Sequence, residues 1–173
     1  MRQLRVPTIL FISLFLVLTP IASASSVTSV NPYGASPIDP PAANEVILRL
    51  SHKDHVINFR FKDLTKMKSS VITIHEPFVK KNQSFTAIPL RALFAKVGIT
   101  ASEIVETKAL NDYIYSNTAN SFLNADGYLA VFRNGKLIPY DQGGPTRIIF
   151  PNSSKWSHFL DPWNWSLMSI AVK

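Results

Sequence analysis

Cysteine is absent from all 173 residues. That excludes a thiol nucleophile, an iron–sulfur cluster, a haem attached through C-x-x-C-H and any thiolate metal ligand. It also excludes disulfides, so an exported form of this chain has to be held by its core alone. Glycine is scarce, at 6 residues, and no G-x-G-x-x-G, Walker A or G-x-S-x-G occurs. Nucleotide binding and nucleophile-elbow hydrolysis therefore lack their usual carriers. The 11 acids form no suggestive pair or cluster, so paired-carboxylate hydrolysis has no visible support. The 18 lysines and arginines outnumber them without gathering into a stripe, which argues against a nucleic-acid partner. The excess favours anionic ligands or surfaces only through weak, salt-sensitive attraction. The 4 histidines, His52, His55, His75 and His158, stand in no helical E-x-x-H or H-x-x-x-H spacing. They read as solvated or singly bonded residues, not as metal ligands.

What the chain does carry begins with "MRQLRVPTILFISLFLVLTPIASASS". Arg2 and Arg5 precede a mostly apolar run from Ile9 to Leu18, and Ala22-Ser23-Ala24 follows. A charged start, an apolar centre and an A-x-A site predict a signal peptide over 1–24, cleaved after Ala24. About ten apolar residues are too few to span roughly 30 Å of hydrocarbon. No cysteine stands at the cleavage site to carry a lipid anchor. The expectation is a periplasmic or secreted protein without a membrane span once the signal is removed. Residues 25–44, rich in serine, proline and alanine, read as a flexible leader. Residues 45–173 read as one domain.

Within that domain, "EVILRL" (45–50) and "HVINFRF" (55–61) predict paired strands. Asp63 is a plausible N-cap for a helical turn in "DLTKM". "SSVITIHEP" (69–77) is β-branched and closed by a proline. "FTAIPLRALFAKVGI" (85–99) places Leu90, Leu93, Phe94 and Val97 at helical spacing, with Pro89 near the first turn and Gly98 at the end. "EIVETKAL", "DYIYSN" and "TRIIFP" read as strands, as does the C-terminal "WSLMSIAVK". "TANSFLNADG" holds another helical turn. Asn134-Gly135 in "YLAVFRNGKLIP" marks a hairpin. Many strands and few helices, without regular βαβ alternation, give an α+β fold with a mixed, largely antiparallel sheet.

Two segments invite a functional reading. In "YDQGGPTRIIFP" (140–151), Gly143 and Gly144 permit close backbone approach and Arg147 offers a planar fork to an anion. The alternative is a turn that only leads into a core strand. In "KWSHFLDPWNW" (155–165), Trp156, Phe159, Trp163 and Trp165 are dense enough to stack on a ligand or partner. The alternative there is a loop folded over the sheet to close the core.

The ordered set "DLTKM…VITIHEPF", "FTAIPLRALFAKVGI", "ALNDYIYS", "DGYLAVFRNGKLIPYDQGGPTRIIFP" and "WNWSLMSIAVK" resembles small exported proteins of the oxidoreductase molybdopterin-binding domain family, which share the sulfite-oxidase-type fold. The resemblance spans roughly residues 60–173 and is most specific at "ALNDY" and "GGPTRIIFP". It implies a compact α+β domain. In catalytic members a cysteine thiolate ligates molybdenum, and an arginine and backbone amides near this turn help hold the pterin phosphate. The glycines, Pro145 and Arg147 match that pattern, whereas the cysteine has no counterpart here. The expectation is therefore a non-catalytic ligand- or partner-binding module without a cofactor. Its partner would be an extracytoplasmic domain of a membrane sensor or signalling enzyme. A molybdopterin-binding oxidoreductase or redox accessory protein without a cysteine metal ligand is the alternative. The candidate ligand-binding residues are Asn111, Tyr113, Arg147, Gly143 and Gly144, with Arg147 supplying charge and Asn111 and Tyr113 supplying hydrogen bonds.

Overall fold

A computed structural model describes residues 41–173. The proposed signal peptide and residues 25–40 of the leader lie outside the described residues. Residues 41–44, assigned to the leader, are tied to the domain. The carbonyl of Ala43 accepts from the Lys62 amide at 3.1 Å, and the carbonyl of Ala42 accepts from the Glu45 amide at 2.9 Å.

Period-two runs of β-branched and aromatic residues build two five-stranded sheets. In the first, β1 (Val46–His52) pairs with β2 (His55–Arg60) on one side and with β10 (Leu167–Val172) on the other. Beyond β10 lie β5 (Ile104–Ala109) and β6 (Ile114–Thr118). The second sheet runs β3 (Ser70–Glu76), β4 (Lys81–Pro89), β7 (Tyr128–Arg133) and β8 (Lys136–Leu137). The short β9 (Arg147–Ile149) adds to β7. Among the described residues, β1 with β10 is the parallel pairing and the rest are antiparallel. This is the mixed, largely antiparallel α+β fold expected.

Of the helices, α2 (Leu90–Val97) contacts β1 and β2 of the first sheet and β4 of the second, while α1 (Phe61–Leu64) contacts β2 and α3 (Ala119–Asn124) contacts β6. Leu90, Leu93, Phe94 and Val97 of α2 are buried in one core cluster with Ile148 and Phe150. Burying such a side chain contributes about 1.5–3 kcal/mol relative to leaving it in water. Gly98 ends α2 at φ +78°. A Cβ there would meet only His52 Nδ1 at 3.8 Å, so the left-handed turn, not crowding, calls for glycine.

Two boundaries differ from the sequence reading. The helix starts at Leu90, because 85–89 complete β4, with Phe85 and Ala87 buried. Pro89 explains the switch: it disfavours helical geometry at the residue before it and itself stays extended at ψ 133°. Asp63 is the third helical residue of α1 instead of its cap, and its carboxylate accepts from the Arg60 amide at 3.0 Å. No helix among the described residues is long and apolar enough to cross a membrane.

Candidate functional site

The Gly-Gly-Pro turn follows a short 3-10 turn (Tyr140–Gln142) and leads into β9. Gly143 sits at φ +82° against Trp165, whose Cδ2 would lie 3.2 Å from an added Cβ. Gly144 donates from its amide to the Pro139 carbonyl at 2.9 Å. A Cβ on Gly144 would fall 1.9 Å from the Ile138 carbonyl oxygen. The close approach that both glycines permit is taken up by the chain itself.

Arg147 is fully buried. Its Nη2 lies 2.7 Å from Glu76 Oε1, and Glu76 is buried just as completely. The other oxygen of Glu76 accepts from the amides of Phe78 and Val79 at 3.0 and 2.7 Å. One carboxylate therefore anchors β9 and shapes the β3–β4 turn. That turn sets Phe78 against Trp165, with ring centroids 4.0 Å apart at 64°. The Arg147 guanidinium stacks on the same indole, its Cζ 4.2 Å from the ring centre.

"ALNDY" reaches this place through Ser166. The Leu110 amide donates to the Ser166 carbonyl, and the Ser166 amide donates to the Gly143 carbonyl, each at 2.9 Å. Asn111 Oδ1 accepts from the Tyr113 amide at 3.3 Å, closing a local turn. The Tyr113 hydroxyl donates to the Asp161 carbonyl at 3.1 Å. Asn111 and Tyr113, with Phe78, Asp161, Trp163 and Trp165, line an open cavity of about 230 Å³. The two segments thus approach each other as expected. Trp165 stands between them, so Arg147 backs the cavity wall instead of facing the cavity. Arg147, expected to present its charge to an anionic ligand, is buried and paired with Glu76 inside the core and is not among the residues that line this cavity.

Glu76, Phe78 and Asp161 were not singled out from sequence. Glu76 carried one usable signal, an acid on the inward phase of a β-branched strand. Nothing in the sequence marked Phe78 or Asp161. The aromatic tail divides between its two readings. Trp156 and Trp163 are buried and pack on Phe150, with ring centroids 5.3 and 5.7 Å away. Phe159 is half exposed and Trp165 lines the cavity. His52 departs from the reading of a solvated or singly bonded residue. It is buried, with Nδ1 2.9 Å from the Val97 carbonyl and Nε2 2.8 Å from Glu103 Oε1. No group of three or more histidines or acids among the described residues is placed to hold a metal.

One mixed and one antiparallel sheet, few helices and a Gly-Gly-Pro turn feeding a buried arginine define the class as a molybdopterin-domain-like α+β protein. The model of the oxidoreductase molybdopterin binding domain matches residues 58–159, and the chain belongs to that family. No curated protein matches the chain. The residues at this turn do not fit the family's cofactor. The Glu76 carboxylate holds Arg147 Nη2 at 2.7 Å inside the core, where a phosphate would have to compete with it. The cavity wall carries Asp161 and no cation. The chain has no thiol to ligate molybdenum.

Proposed function

We propose that this chain is an exported, non-catalytic binding module on a molybdopterin-domain fold, serving an extracytoplasmic domain of a membrane sensor or signalling enzyme. The observation that carries this reading is the buried Glu76–Arg147 pair in a chain without cysteine. The arginine that would hold a phosphate is committed to the core. The cavity beside it keeps an aromatic wall with polar groups at its rim, which is the composition of a recognition site. Export rests on the signal-like N-terminus, and the sensor partner on export together with the absence of a catalytic constellation.

The test passes native envelope extract over immobilised full-length protein and over its Tyr113→Ser variant, since Tyr113 is an exposed cavity residue. Capture of a sensor's extracytoplasmic domain by the wild type, lost in the variant, supports the reading. Capture that ignores the variant contradicts it. Family membership itself favours a second reading, a molybdopterin-binding oxidoreductase or accessory protein that holds the cofactor through oxygen or backbone contacts alone.

A further inference from the structure

No lysine or arginine among the described residues lines the "ALNDY" cavity, and Lys108, which precedes that segment, is paired with Asp112 at 2.8 Å. Lys66, Lys68 and Lys96 line a separate hollow beside α2. Arg147 lies behind Trp165 and is ion-paired with Glu76. The residues that line the cavity are aromatic or aliphatic, apart from Asn111 and Asp161. Asp161 binds Tyr113 through its backbone carbonyl, so the carboxylate is not used in that contact. Its field reaches the wall, for burial first and the Asp161 charge second hold the Tyr113 hydroxyl above the usual tyrosine range. Exposed Phe78, Tyr113 and Leu160 rim the opening.

We infer that this cavity takes an organic cation, an ammonium or guanidinium group on a short apolar stem, with Asp161 as counter-charge and Phe78, Tyr113 and Trp165 as the aromatic wall. The inference rests on the binding-module reading and names the ligand class of the same site. Aromatic faces and edges enclose such a stem, and their negative faces favour the charged head over an anion of equal size. At about 230 Å³ the cavity is below the usual range for drug-sized ligands and suits a side chain or a small amine. A lysine or arginine side chain of a partner and a free alkylamine share this chemistry.

The experiment titrates full-length protein with n-butylammonium, with n-butyrate as the anion of matched length, and with acetyl-Ala-Lys-Ala-amide. Chemical shifts of the Trp165 indole and the Asn111 side-chain amide are followed by NMR. Saturable shifts with butylammonium and none with butyrate are expected. The Asp161→Asn variant should weaken butylammonium about threefold to fivefold, as an exposed ion pair would, with an unchanged unfolding curve. Tighter binding of the peptide assigns the cation to a partner's side chain, and tighter binding of the free amine assigns it to a small molecule. Both support the inference. Equal response to butyrate, or an Asp161→Asn variant that binds butylammonium as well as wild type, overturns it. Those results leave the binding-module reading standing, because that reading fails separately, if the purified protein carries molybdenum.

Discussion

Arg147→Met is the most informative single change to the core. The substitution keeps an apolar stem of similar length and removes the guanidinium. It leaves Glu76 at zero exposure with two amide donors and without its ion-pair partner. Breaking a buried pair from one side costs about 3–5 kcal/mol, since the remaining charge stays desolvated. A domain of this kind has about 5–15 kcal/mol in all, so the change removes roughly a fifth or more of it. With a urea slope of about 1.5–2 kcal/mol/M, the unfolding midpoint falls by roughly 2 M. Urea is the denaturant to use, because guanidinium chloride screens the charges in question. Adding Glu76→Gln keeps the acceptor for the Phe78 and Val79 amides and removes the orphaned charge. The double variant should recover at least about 1 kcal/mol relative to simple addition. A single-variant loss below about 1 kcal/mol, with a coupling near zero, would refute the claim that this pair anchors β9 and the turn carrying Phe78.

Three further outcomes are expected. Leu93→Ala, fully buried on α2, costs about 2–5 kcal/mol in denaturant unfolding, and a loss under about 0.5 kcal/mol would mean that this face is not core. Gly144→Ala drives a Cβ into the Ile138 carbonyl oxygen and costs about 3 kcal/mol or more. Gly135→Ala, at φ +72° with nothing within 4 Å, costs only about 1–2 kcal/mol, and thermal unfolding of the two variants side by side checks the contrast. Glu103 is held below the usual carboxylate value of 4.5, first by the Thr100 amide and then by the Thr100 hydroxyl and His52, against an opposing desolvation. Its contribution is therefore complete above pH 4.5 and is lost as pH falls through the lowered value. Glu103→Gln should flatten the stability profile in that acid window, and an unchanged profile would remove Glu103 from the account.

Much of the architecture was legible because its signals are local. Asn134-Gly135 marked the β7–β8 hairpin, and the 3.6-residue spacing of Leu90, Leu93, Phe94 and Val97 marked the buried face of α2. The start of α2 was misplaced because "FTAIP" is apolar enough to extend a helical pattern, while the proline at its end enforces strand geometry. The site was half legible. "ALNDY" and the Gly-Gly-Pro turn do meet, through backbone bonds of Ser166 that no side-chain pattern announces. Arg147 was left open between a presented charge and the entry to a core strand because its partner Glu76 lies 71 positions away, and such a distant pair leaves no local trace. Asp161 was invisible for a similar reason: only the folded path of the aromatic tail brings it beside Tyr113.

The central claim, a molybdopterin-domain fold that binds without its cofactor, is tested most directly by metal and pterin content. Full-length protein should be produced in a molybdate-replete host with an intact cofactor pathway and purified without chelators. Molybdenum is then measured by elemental analysis, and pterin by fluorescence after oxidation. The account predicts neither above background. Molybdenum and pterin near one equivalent per chain would contradict it and establish the oxidoreductase or redox-accessory reading instead.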